Sequence, residues 1–185
     1  MRSNKHGKPA PDRHAPDIQT RQHKSDPMFE SQRETSLRFL AQPNEVNFGG
    51  NVHGGAVMKW IDQAGYVCAT GWSGCYCVTA FIGDVNFYEP IHVGDLVQVN
   101  AKIIHTGRTS MHIAVDLHAC NPKRCERSKA IHCVMVFVAV DEHGHAMEVP
   151  AWIPNDEEDL MLEDYALKIM ELRKTNQKLL QAQGL

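Results

Sequence analysis

The chain has 185 residues, 43% of them apolar and 22% charged, which fits one globular domain with appendages rather than two domains. No window approaches the ~18 consecutive apolar residues that span a bilayer, and the N-terminus is charged where a signal peptide needs an apolar core, so neither a membrane nor a secreted protein is expected. The formal net charge of -3 is unevenly split: residues 1–27 hold six Lys/Arg against three Asp/Glu, leaving thirteen against nineteen elsewhere, so charge gives the body no reason to bind nucleic acid.

Residues 1–27 are rich in Pro, Lys, Arg and His, with Ile18 their single large aliphatic residue after the initiator. Such a segment buries too little apolar surface to offset its ordering entropy and is expected to be a solvated, disordered tail. A compact domain is expected over 28–154, followed by a helix over 155–185.

The domain opens with a short strand, Ser36 to Ala41, and a loop rich in Asn and Gly. From Gly54 to about Thr70 the sequence GGAVMKWIDQAGYVCAT is apolar on nearly every face, as in a helix wrapped by other structure. Four strands are then expected, at Val78 to Phe87, Leu96 to Thr106, Thr109 to Cys120 and Lys129 to Val140. In the third, Met111, Ile113, Val115, Leu117 and Ala119 alternate with the wetter set Ser110, His112, Ala114, Asp116 and His118. The connections are too short for parallel crossovers, so consecutive antiparallel pairing is expected. The last strand, AIHCVMVFVAV, is apolar on both faces and belongs centrally or at a subunit contact.

Beyond Asn155 or Asp156 as cap, acids at 156–159 suit a helix N-terminus. Leu162, Tyr165, Ile169, Leu172, Asn176 and Leu179 step by three and four, which serves either a short coiled-coil seam or packing on the domain's own sheet. The architecture is α+β: one long helix filling a curled antiparallel sheet, plus a C-terminal helix. Six irregularly spaced cysteines suit reduced thiols and a cytoplasmic location.

Asp62 stands out because Met58, Trp60, Ile61, Ala64 and Val67 around it are apolar, and a buried carboxylate needs partners or a catalytic reason. Spacing equally allows it the edge of an exposed stripe with Lys59 and Gln63. The entry to the helix, NFGGNVHGG from Asn47 to Gly55, brings free backbone amides to a glycine-lined surface, where they suit an oxyanion.

The run NFGGNVHGGAVMKWID, then Val78-Thr79, NFYEPIHVGD at 86–95 and GRTS at 107–110, resembles the hotdog-fold acyl-CoA thioesterases, both the small bacterial enzymes and the vertebrate cytosolic acyl-CoA hydrolases. The resemblance spans roughly Thr35 to Asn155, with four separated motifs in order. It implies a single hotdog domain that hydrolyses acyl-CoA, with Asn47 and Asp62 catalytic, the Gly55 amide on the thioester oxygen, and Thr79 beside the acid. His53 and Gly54 are implied as substrate lining, and Arg108, Thr109 and Ser110 as contacts to coenzyme A. No cofactor and no metal are implied, since coenzyme A arrives and leaves within substrate and product.

Asp62 lies seven residues beyond Gly55, roughly 10 Å along one helix at ~1.5 Å per residue. If both act on one thioester they come from antiparallel helices of two subunits, making a homodimer the smallest active unit. The resemblance further implies a trimer of such dimers.

Other constellations carry less. Ser110, His112 and Asp116 share a strand face, but the end members are ~20 Å apart, too far for a triad. His118, Cys120, Cys125, His132 and Cys133 lack paired C-x2-C spacing for zinc. Lys123, Arg124, Arg127 and Lys129 suit a solvated loop or the phosphates of coenzyme A. His143 and His145 flank a glycine in an exposed turn. A non-hydrolytic acyl-CoA-binding module is the competing reading, because fold alone does not fix function; the intact Asn47 and Asp62 pair separates the two. A hydratase is disfavoured because His53 lies in the wrong motif.

Overall fold

The computed structural model describes residues 32–124 and 126–184, apart from the side chain at 84. The expected tail at 1–27 lies outside them, as does Cys125. Five strands, β1 (Glu34–Leu40), β2 (Cys77–Phe87), β3 (Leu96–Thr106), β4 (Ser110–Asn121) and β5 (Glu126–Ala139), form one antiparallel sheet with α1 (Gly54–Ser73) and α2 (Glu157–Ala182). The sheet order is β1-β3-β4-β5-β2.

The pairing corrects one expectation. β3, β4 and β5 are consecutive neighbours, but β2 pairs with β5 rather than with β3. The short segment after β2 crosses the sheet end instead of closing a hairpin, held as Val52 N–H donates to Ile91 O at 2.8 Å and Tyr88 N–H to Ala130 O at 2.9 Å. Its extended backbone has the reach, since eight residues at ~3.3 Å each clear three strand spacings of ~4.8 Å. β5 lies between β4 and β2 and has Ile131, Cys133, Met135 and Phe137 in the core with α1 and Val134 packed on Ala166 of α2, which explains why AIHCVMVFVAV is apolar on both faces.

α1 fills the concave side. Val57, Trp60, Ile61, Ala64, Gly65, Cys68 and Ala69 are buried, and the helix ends where Gly74 adopts a left-handed φ of 66°. Against it lie the expected inward residues of β4, Met111, Ile113, Val115 and Leu117, all fully buried. At the far end of α1, the Trp72 indole donates to Pro150 O at 2.9 Å, anchoring the chain on its way to α2.

The outer sheet face is drier than its sequence suggests because α2 covers it. Leu162, Ala166 and Ile169 pack on Ile104, Ala114 and Val134. Asp156 caps α2 by accepting from Asp159 N–H at 2.8 Å, and the Asp159 carboxylate pairs with Arg33. The three-four spacing serves packing on the domain's own sheet in its first half, where Leu162 and Ile169 meet it, while Leu172 and Leu179 further along are exposed.

His112, placed on the wetter face by alternation, is instead only 4% exposed. Burial, reinforced by His105 and the Arg173 charge, pushes its imidazole from 6.5 down to about 4. Between those values the unfolded chain takes up a proton that the folded chain does not, so acid favours unfolding. This contribution is nil above about pH 6.5 and grows to roughly 3 kcal/mol of destabilisation by about pH 4, at 1.36 kcal/mol per pKa unit. Chemical denaturation of wild type and His112→Leu between pH 7 and pH 4 checks this: the variant is expected to lose that part of the slope.

Candidate active site

The loop before α1 is shaped by Asn47. Its Oδ1 accepts from Gly49 N–H at 2.8 Å and Asn51 N–H at 3.3 Å, and its backbone carbonyl accepts from Gly50 N–H at 3.0 Å. Gly50 has φ 79°, where a side chain is strained. The Asn47 oxygen is thus committed to the loop, and its Nδ2 has no hydrogen-bond partner among the described residues, leaving a donor directed outward from a fixed frame.

His53, expected only as lining, is the N-cap of α1: its Nδ1 accepts from Gly55 N–H at 3.0 Å. The expected oxyanion amide is therefore taken by an exposed imidazole, while the preceding Gly54 N–H has no hydrogen-bond partner among the described residues. Ala56 and Val57 N–H both bond to the His53 carbonyl, so the first turn is closed behind these two glycines. Ser, Thr, Asp and Asn dominate helix caps, which is why His53 gave no cap signal in sequence. His53→Ala is expected to cost about 1 kcal/mol of stability while changing kcat by less than about threefold; denaturation and steady-state assays check both parts.

Asp62 lies two turns further along, half-buried, with the Thr79 hydroxyl of edge strand β2 donating to its Oδ1 at 2.6 Å. Lys59 and Gln63 beside it are exposed, so the polar stripe exists, but Asp62 stands at its margin facing β2. Its Oδ2 has no hydrogen-bond partner among the described residues. Asp62 borders an open cavity of about 460 Å³ whose other walls are Leu37, Gln63, Tyr66 and Val67. The spacing of four from Asp62 to Tyr66 was the available sequence signal for this apolar wall.

The GRTS segment forms the β3–β4 turn, in which Gly107 N–H donates to Ser110 O at 2.8 Å. Arg108 is exposed, 3.7 Å from Glu148, and Ser110 turns to the outer face beneath α2. One chain thus brings Asp62 and Thr79 together, places Asn47, His53, Gly54 and Gly55 at the other end of the helix, and keeps Arg108, Thr109 and Ser110 at a third position. Among the described residues, no group of three or more His, Cys, Asp or Glu is arranged to hold a metal, and the five described cysteines are free thiols.

Comparison with known proteins interprets this layout. Residues 49–126 match the Thioesterase superfamily model. An uncharacterised acyl-CoA thioester hydrolase of Zymomonas mobilis is 33% identical over 117 residues, covering 63% of this chain and 78% of that protein. The chain belongs to the acyl-CoA thioesterase family. A solved apo hexameric acyl-CoA thioesterase superposes on the thioesterase with TM-score 0.75 and 33% identity, covering 80% of this chain and 94% of the other. An acyl-CoA hydrolase of Staphylococcus aureus, solved with butyryl coenzyme A and coenzyme A, gives TM-score 0.73 and 27% identity over 84% of this chain and 94% of that one. Alanine variants of the latter at an Asn, an Asp and a Thr have been characterised; those three are separated by fifteen and then seventeen residues, the spacings of Asn47, Asp62 and Thr79. The thioesterase is thus a hydrolase of acyl-CoA thioesters, with the hotdog architecture expected from its motifs. Among the described residues no helix is long and apolar enough to cross a membrane.

Proposed function

We propose that hydrolysis takes place between two subunits, with Asp62 of one facing the Asn47–Gly55 loop of the other. The Asp62–Thr79 hydrogen bond at the rim of the apolar cavity carries this reading. Thr79 fixes one carboxylate oxygen and leaves Oδ2 for a water or the thioester carbon. From there Asp62 acts as general base or as nucleophile through a mixed anhydride, and Asn47 Nδ2 orients the water or carbonyl. The thioester oxygen replaces His53 Nδ1 on the Gly55 amide, next to Gly54, at the positive end of α1. No cofactor or metal enters this scheme; coenzyme A is the leaving group, and a cytoplasmic setting suits the free thiols.

The separation of the two half-sites along one helix requires two chains, and an isologous dimer satisfies it twice. The hexameric relatives support a trimer of these dimers as the full assembly. Co-assembly tests the reading: Asp62→Ala and Asn47→Ala homomers are each expected to be nearly inactive, while a statistical mixture of the two chains regains about a quarter of wild-type turnover through one intact site per mixed dimer. A mixture as inactive as its parents overturns the two-chain site. Thr79→Val is expected to lower kcat about tenfold or more with KM little changed, because a hydrogen bond from a hydroxyl to a carboxylate is worth about 1.5–3 kcal/mol.

A further inference from the structure

The loop that carries Asn47 is closed at its base by backbone bonds. His53 N–H donates to Glu45 O at 2.7 Å, Val46 bridges to Val52, and Asn47 N–H donates to Asn51 O at 2.8 Å, so Glu45 and His53 stand together at the neck of the loop. On the outer side, Val52 N–H donates to Ile91 O and Asn51 bridges to His92, which ties the returning half of the loop to the segment after β2. These bonds set the shape of the loop and its outer edge, but none of them reaches the body of the helix that carries Asp62.

Glu45 makes that connection. It closes the short turn Pro43–Glu45, where its N–H donates to Gln42 O at 3.2 Å, and its half-buried carboxylate accepts from the Trp60 indole N–H at 3.3 Å. Trp60 lies seven residues beyond the His53 cap, roughly 10 Å along α1, so the contact grips the helix well inside its length. Trp60 is itself held firmly: it is buried, and its ring meets Phe39 of β1 edge-on at 5.0 Å. A buried indole N–H is costly to leave without an acceptor, and a carboxylate accepts more strongly than a neutral oxygen, so each partner fixes the other.

Asp62 stands two residues beyond Trp60 on the same helix. The placement of Asn47 against that helix is therefore set through a rigid ring. In an isologous dimer this placement enters both sites, because each takes its loop from one chain and its carboxylate from the other. An orienting donor such as Asn47 Nδ2 is sensitive to it, since a misplacement of about 1 Å costs up to about a hundredfold in rate.

We infer that Glu45 is a positioning residue for thioester hydrolysis, its carboxylate holding the Asn47 loop in place through the Trp60 indole. The inference rests on the two-chain site proposed above and assigns Glu45 to the Asn47 half of it. Steady-state kinetics of full-length Glu45→Ala, Glu45→Gln, Trp60→Phe and the double variant Glu45→Ala/Trp60→Phe test it. Glu45→Ala is expected to lower kcat about tenfold with KM within about twofold, and Trp60→Phe, which keeps a ring against Phe39 but loses the donor, to do the same. The double variant is expected to be no slower than either single one, and Glu45→Gln, which keeps an acceptor oxygen, to stay within about threefold of wild type.

Subunit mixing assigns the half-site and separates positioning from a damaged fold. In a statistical mixture of Glu45→Ala with Asp62→Ala, each mixed dimer holds one site with both halves intact, and about a quarter of wild-type turnover is expected. Mixed with Asn47→Ala, the same chain finds no intact loop, and about a twentieth is expected. Equal turnover in the two mixtures overturns the inference, since a damaged fold harms loop and carboxylate alike, as does recovery with Asn47→Ala alone. Additive kcat losses in the double variant, or Glu45→Gln as slow as Glu45→Ala, overturn it too. The mixture of Asp62→Ala with Asn47→Ala is the separate control: its failure to recover removes the two-chain reading, and the kcat coupling of Glu45 with Trp60 in the homomers then decides whether the contact governs turnover.

Discussion

Asp62→Asn is expected to lower kcat for acyl-CoA hydrolysis by about three orders of magnitude while leaving the fold and coenzyme A affinity intact. The amide keeps the size of the carboxylate and its carbonyl still accepts from the Thr79 hydroxyl, which donates at 2.6 Å in the native chain. It loses basicity and nucleophilicity, on which both chemical routes depend, and general-base or nucleophilic groups contribute about that much. Stability is expected to change little because Asp62 is only half-buried at the cavity rim. Thiol release across a series of acyl chain lengths, alongside thermal melting, provides the measurement. Retention of a tenth or more of wild-type kcat would falsify the assignment of Asp62. Single-turnover hydrolysis in oxygen-18 water bears on the routes: label in the Asp62 carboxylate identifies a mixed anhydride opened by water at the Asp62 carbonyl, an outcome general-base catalysis does not give.

The elements themselves were legible because their periodicities are local. Alternation in β4 and the all-round apolar α1 each need only neighbouring residues, and both stand within a few positions of their expected bounds. Strand order was less legible: a short linker does not reveal whether it closes a hairpin or crosses a strongly curled sheet, and Pro90 with its neighbours takes the second course. The wetter face of β4 holds at Ser110, Ala114, Asp116 and His118, which are half-buried, and fails only at His112, because alternation cannot anticipate a distant helix, α2, arriving over it. At the site, Asp62 was ambiguous by helical spacing, and the ambiguity ends only where β2 brings Thr79 against it. The cap formed by His53 and the contact between Glu45 and Trp60 were illegible because each depends on side-chain direction or on a long-range approach.

Gly65→Ala is expected to lower both stability and turnover, and Phe137→Ala to cost more stability still. A Cβ on Gly65 would stand 2.6 and 3.0 Å from two atoms of the Phe137 ring and 3.3 Å from the Met135 sulfur. Phe137 is fully buried, so its ring has no open space into which to retreat. Alanine suits a helix better than glycine by about 1 kcal/mol, but overpacking of about 1–3 kcal/mol opposes that gain. Removing the ring instead leaves a large void under α1, with an expected loss of about 3–5 kcal/mol. The catalytic consequence follows from register: Phe137 pairs with Thr79 across β5 and β2, while Gly65 lies less than one turn beyond Asp62. The close passage of α1 over Phe137 therefore sets how far Asp62 stands from Thr79, and lifting the helix by a few tenths of an ångström is felt at the 2.6 Å hydrogen bond. Turnover in Gly65→Ala is expected to fall about tenfold without a matching change in KM, in line with the loss of one orienting hydrogen bond. Adding Phe137→Leu should restore part of it, because the smaller side chain yields the space the new methyl group needs. Denaturation and kinetics on the two single variants and the double variant measure that coupling, and strict additivity would show that α1 does not position Asp62 through this contact.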